Sequence, residues 1–161
     1  MADGESKGRR ETPEERSDRN WNELLQELRV TQTGVQLLTG FLLTLPFQSR
    51  FADLAPDQVG IYLVLVVLAA AATVLLTAPV TMHRLLFQRR LKAEIVRTGH
   101  RVAMVGLGCL ALVVTGTVLL IFDVVVSREG ALYAAGGILF LLVVGWIVVP
   151  FVFARRRSDA G

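Results

Sequence analysis

The sequence predicts an all-α integral membrane protein, a four-helix bundle with both termini in the cytoplasm and amphipathic helices on the cytoplasmic side. Three observations carry this expectation. The first is the spacing of charge. Arg29 and Arg50 bracket 20 uncharged residues, Asp57 and His83 bracket 25 residues without Asp, Glu, Lys or Arg, Arg101 and Asp123 bracket 21, and Glu129 and Arg155 bracket 25. A bilayer core of about 30 Å takes about 20 apolar residues as helix, so each run is long enough to cross. The second is pattern. Leu63–Ala72 reads LVLVVLAAAA, without the alternation of barrel strands, and helices satisfy their own backbone groups in lipid. The third is the placement of Lys and Arg. Of 17, fifteen lie before the first run, between the second and third, or after the fourth; only Arg50 and Arg128 lie in the other two connections. The positive-inside rule places those three basic regions in the cytoplasm.

Taken in order, residues 1–12 are polar and mixed in charge and read as a disordered cytoplasmic tail. Arg9-Arg10 has no apolar stretch behind it and no small-residue cleavage site, so no signal peptide is expected and the first span is an uncleaved anchor. Thr12, Pro13 and Glu15 form a helix start: a capping hydroxyl, a proline suited to the first helical position, and an acid that completes a capping box. Over 13–29, Trp21, Leu24, Leu25 and Leu28 fall at i, i+3, i+4 and i+7 and make one apolar stripe. Two placements fit this stripe: on the inner membrane surface with Trp21 at headgroup depth, or as a solvated helix against the protein's own cytoplasmic loop.

The first span, about 30–48, is the most polar. Thr33, Gln36, Gly40 and Thr44 share one of its faces. Unpaired amides and hydroxyls are costly in lipid, so this face is expected to point into the bundle, as an interhelical packing surface or as the lining of a transport path. The second span, about 59–81, has small residues at Ala69, Thr73 and Thr77 for close helix approach, and Pro79 near its cytoplasmic end. A basic amphipathic helix over 83–98 follows, with Arg84, Arg89, Arg90 and Lys92 facing anionic lipid and Gly99 ending it. The third and fourth spans are about 102–126 and 131–153, joined by a tight turn, and Arg155, Arg156 and Arg157 head the cytoplasmic tail, 154–161. Pro79 precedes Arg84 by five residues as Pro150 precedes Arg155. That likeness raises a parallel repeat, with the two hairpins related about the membrane normal.

Chemistry-bearing residues are few. Asp123 is the one acid inside an apolar span; it reads either as an interfacial anchor for Arg128 or Arg50, or as a cation or proton site. His83 and His100 flank the basic segment and read as interfacial residues rather than haem ligands. Cys109 is the only cysteine, which excludes an intramolecular disulfide and reads as a small packing residue. No nucleophile elbow, zinc-protease or phosphate-loop pattern occurs, so neither enzymatic activity nor a cofactor or metal is expected. The basic clusters flank spans and come with no nucleic-acid-binding fold. Expected partners are the lipid bilayer, anionic lipids of the inner leaflet through Trp21, Arg29 and the arginines named above, and a second copy or another membrane subunit. Mid-span in the first run, small drug exporters carry a glutamate that this chain lacks.

The segment ELRVTQTGVQLLTGFLLTLPFQSRF at 27–51, with Ala78-Pro79 and His83-Arg84 after the second span, resembles an uncharacterised actinobacterial family of small four-span membrane proteins. The resemblance covers roughly residues 20–155. Thr33 stands where the family pattern has proline. Members are sometimes named sodium/proton antiporters, which implies transport as the alternative function. The resemblance implies no catalytic or binding residues.

Overall fold

The computed structural model describes residues 12–86 and 92–158. Helix α1 spans Pro13–Thr44, α2 Pro56–Leu86, α3 Lys92–Val125, α4 Arg128–Val143 and α5 Val149–Ser158, with a π-helical turn at Val144–Val148. Two short 3-10 turns, Leu45–Phe47 and Ser49–Asp53, join α1 to α2. The architecture is all-α, with no strand among the described residues. Three stretches are long and apolar enough to cross a membrane: Pro56–Thr81, Arg97–Val125 and Arg128–Val152. The α1 run is not among them, because its glutamines and threonines lower its hydropathy.

Helix ends form where the sequence supplies caps. Pro13 opens α1, with the Arg16 N–H bonded to the Thr12 carbonyl at 3.1 Å. At α2, Gln58 Oε1 accepts the Ala55 N–H at 3.0 Å, the reach-back half of a capping box. At α4, the Ser127 hydroxyl accepts the Gly130 N–H at 3.1 Å.

Two expected boundaries are absent. Residues 13–29 and 30–44 form one continuous α1 of 32 residues, because nothing at the junction interrupts the backbone ladder. The basic segment is likewise not a separate helix over 83–98. Its ends extend α2 to Leu86 and begin α3 at Lys92. Gly99 lies buried within α3 instead of ending a helix. It stands seven residues before Gly106, which precedes Val113 and Leu120 by the same step, all on the buried face.

Packing is centred on α2 and α3. The buried positions of α2 are Tyr62, Leu65, Ala69, Ala72, Leu76 and Pro79. Their alternating steps of three and four form the seam of a left-handed helix pair. A Cβ at Gly106 would meet Leu76 Cγ at 2.9 Å, and one at Gly116 would collide with Leu65, so glycine permits the approach of α3 to α2 at both levels. Helix α1 adds Leu28, Val35 and Leu42, one buried residue every seven. One cluster joins Leu42, Tyr62, Leu65, Ala69, Val113 and Leu120; the other joins Leu28, Val35, Ala72, Leu76 and Ala103, with Leu24 and Cys109 beside it.

Among the described residues, helix α4 packs its backbone against α3, burying Ala131 and Ala135, and reaches α2 only through the Arg128 side chain. A repeat about the membrane normal would pair α4 with α1 as α2 pairs with α3. Helices α1 and α4 do not touch among the described residues, so the halves lack that relation.

Candidate functional site

Two side chains clamp α1 to α2 from opposite directions. Gln32 Nε2 donates to the Leu76 carbonyl at 2.8 Å. That bond lies one residue from Leu75, whose helical donor would be the N–H that Pro79 lacks. Tyr62 donates its hydroxyl to the Leu42 carbonyl at 3.0 Å. The α-helical donor to that carbonyl would be residue 46, and Pro46 has no N–H. Phe51 holds the Tyr62 ring edge-on at 5.1 Å.

With Leu28, Val35 and Leu42 turned inward, Thr33, Gln36, Gly40 and Thr44 sit about 100° to 180° away around α1 at 100° per residue. All four are exposed. The face expected to point into the bundle is therefore on the outside of the single chain. Leucine and valine fill the inner face, and the threonines satisfy themselves locally. Thr33 bonds the Arg29 carbonyl at 3.1 Å and Thr44 the Phe41 carbonyl at 2.8 Å, both on their own helix. A Cβ on Gly40 would meet nothing within 4 Å. Gln36 differs: its side-chain amide has no hydrogen-bond partner among the described residues. It borders a narrow seam with Gln32, Thr73 and Thr77 that has no room for water.

At the opposite end of the helices from Lys92, Asp123 is the centre of a polar lock. Its side chain is only 6% exposed. One carboxylate oxygen accepts Gln58 Nε2 at 3.0 Å and Arg128 Nη1 at 3.0 Å, and Arg128 also reaches Asp57 at 3.3 Å. The lock ties the start of α2 to the turn between α3 and α4. Arg128 is one of the two arginines expected as partners; among the described residues the other, Arg50, makes no ion pair with Asp123. Gln58 and Asp57 were not legible as partners, because they stand 65 and 71 residues away in the chain.

The remaining surface residues separate by location. Arg29 is exposed on α1, and Arg155 is exposed with its guanidinium 5.0 Å from the Phe151 ring centre. Trp21, Arg84, Lys92, Arg156 and Arg157 belong to α1, α2, α3 and α5. Arg89 and Arg90 lie outside the described residues, as does the tail before Thr12. His100 is exposed on α3 and borders a polar crevice with Asn20, Glu23 and Glu27 of α1. Leu24 and Leu28 of the apolar stripe before the first span pack toward α2 and α3.

A model of a family of unknown function, DUF6328, matches residues 10–150. The chain belongs to DUF6328. No curated protein and no solved structure matches it. In this DUF6328 member the family match spans α1 to the π-helical turn, so it includes both the α1 face and the Asp123 lock.

Proposed function

We propose that this DUF6328 protein is a non-enzymatic, four-span protein of the cell membrane that associates within the bilayer through the exposed polar face of α1. The partner is a second copy or another membrane subunit. The single observation that carries this reading is Gln36: an exposed amide on the polar face of α1, without a hydrogen-bond partner among the described residues. An unpaired amide in an apolar medium costs roughly 2–7 kcal/mol. A neighbouring helix that supplies a hydrogen bond removes much of that cost, and the open space above Gly40 lets its backbone come close.

Membrane placement rests on the three apolar helices and on the charge distribution. By the positive-inside rule, the basic residues up to Arg29, from Arg84 to Arg101 and at Arg155–Arg157 favour cytoplasmic termini, with those arginines against anionic inner-leaflet lipid. The 32 residues of α1 extend about 48 Å at 1.5 Å per residue. The 15 residues of α1 after Arg29 extend about 22 Å, and with the apolar turn Leu45–Phe47 they form the fourth span, fitted to a core of about 30 Å by local thinning of the bilayer; the first part of α1 stands in the cytoplasm beside α3.

The test is the size of the complex extracted from native membranes. Gln36→Leu and Gly40→Ile shrink it to the single chain if the α1 face is the contact; an unchanged complex in both variants removes that role.

A second reading, a coupled cation or proton transporter using the same stripe, draws on the Gln36 amide alone, since the seam it shares with Thr73 and Thr77 is dry. Asp123 is committed to Gln58 and Arg128, so this reading depends on Gln36. Cation-driven proton movement in sealed vesicles, lost in Gln36→Leu, would establish it.

A further inference from the structure

A large apolar crevice opens between α3 and the end of α4. Its volume is about 510 Å³. Met104, Gly108 and Ala111 form one wall; Leu142, Trp146 and Pro150 contribute to the other. The crevice exists for two reasons. Beyond Ala131 and Ala135 no residue of α4 is buried. Then the backbone ladder shifts, with the Val149 N–H bonding the Val144 carbonyl five residues back. Pro150 explains the shift: it has no N–H for the carbonyl of residue 146, and its ring crowds that carbonyl. Cβ atoms on Gly108 and Gly145, one from each wall, would meet nothing within 4 Å.

Charge gathers at one mouth. Arg97 and Arg101 precede Met104 by seven and three residues, on the crevice face of α3. Both are exposed, and neither has an ion-pair partner among the described residues. On the other wall Arg155 is exposed five residues past Pro150. Guanidinium groups match phosphate oxygens in pairs. A volume of 510 Å³ holds about 17 groups of water size at roughly 30 Å³ each, which is the scale of one long acyl chain.

We propose that this crevice binds one anionic glycerophospholipid of the inner leaflet. An acyl chain lies against Met104, Gly108 and Trp146, and the headgroup phosphate is held by Arg97 and Arg101, with Arg155 at the rim. The site is separate from the α1 face, and its assignment to the inner leaflet rests on the orientation proposed above. A partner helix in the same space would have to bring acids to all three arginines; a phosphodiester brings its charge with the chain that fills the gap.

The test is native mass spectrometry of the full chain from micelles titrated with phosphatidylglycerol or phosphatidylcholine of identical acyl chains. The wild type is expected to retain one phosphatidylglycerol in clear preference to phosphatidylcholine. Arg97→Gln with Arg101→Gln is expected to weaken phosphatidylglycerol about fivefold per arginine and to erase the preference. Arg101→Lys retains part of it. Gly108→Leu fills the crevice and weakens both lipids alike. Equal retention of the two lipids by the wild type, an unaltered double-arginine variant, or a dimer mass in place of lipid adducts overturns the proposal. Because both arginines are exposed, that variant keeps the fold even if Gly108→Leu does not, and circular dichroism checks this. Micelles offer lipid to both ends, so the binding result is independent of topology. Topology is read separately by impermeant thiol labelling of Asp159→Cys in a Cys109→Ser background. Labelling from outside sealed cells would overturn the inner-leaflet assignment.

Discussion

Removing the Asp123 carboxylate is expected to loosen together the ends of α2, α3 and α4 that meet at it. In Asp123→Ala, Gln58 and Arg128 lose their common acceptor. A hydrogen bond to a charged group contributes about 1.5–3 kcal/mol. That range applies to the Gln58 bond, since the Asp123 side chain is only 6% exposed. The Arg128 guanidinium is 54% exposed and keeps Asp57 at 3.3 Å, so its share falls to about 1 kcal/mol or less. The expected loss is thus about 1.5–4 kcal/mol for Asp123→Ala. Asp123→Asn, which keeps an oxygen for Gln58, should lose about 1–2 kcal/mol. The assay is equilibrium unfolding in mixed micelles, followed by helix content, on both variants, Gln58→Ala and the double variant Gln58→Ala with Asp123→Ala. A coupling of about 1–2 kcal/mol between positions 58 and 123 is expected for a direct bond. Additive losses, or an Asp123→Ala variant within about 0.5 kcal/mol of wild type, would refute the lock. The same variants bear on transport: a structural carboxylate leaves any cation-coupled proton flux intact in Asp123→Asn, whereas a carboxylate on the ion path abolishes it.

Three further substitutions probe the packing by the same unfolding assay. Gln32→Leu removes the bond to the Leu76 carbonyl and costs about 0.6–1.7 kcal/mol, the range for interhelical hydrogen bonds in membranes. Gly106→Val forces atoms into Leu76, which is wholly buried, and costs about 1–3 kcal/mol; a neutral result would mean that α2 and α3 stand further apart than the structure shows. Thr115 has a buried hydroxyl without a partner among the described residues, so Thr115→Val is expected to stabilise the protein by about 1 kcal/mol, and a loss of stability would reveal a bond to that hydroxyl.

How far the sequence spoke for the structure differs from residue to residue. The long apolar helices α2 and α3 and the apolar run through α4 were legible because uncharged length is a local property. The Asp123–Arg128 pair was legible for a similar reason: five residues across a capped turn bring the two side chains together. Gln58 was not, since its approach depends on how α2 packs on α3. The orientation of α1 was misjudged on a sound premise. Polar groups in lipid do need partners, but hydroxyls at 33 and 44 find them on their own backbone. Leu28, Val35 and Leu42, spaced by seven, were the better guide to the inward face. Gly99 was read as a helix end because glycine weakens helices; its place one heptad before Gly106 marks a buried position where α3 stays close-packed. Pro46 and Tyr62 carried a signal that went unread: a proline four residues after Leu42 strips that carbonyl of its donor, and a tyrosine across the loop supplies another.

The claim that the α1 face is a contact surface in the membrane is tested most directly by site-specific photo-crosslinking in growing cells. A benzophenone side chain is placed at Gly40, where the structure has open space, and, as a control, at the exposed Phe140 of α4. Discrete protein adducts at position 40, lost when Gln36→Leu is added and absent at position 140, are the expected result. Lipid adducts alone at position 40, or the same protein adducts at both positions, would contradict the assignment of that face to a partner.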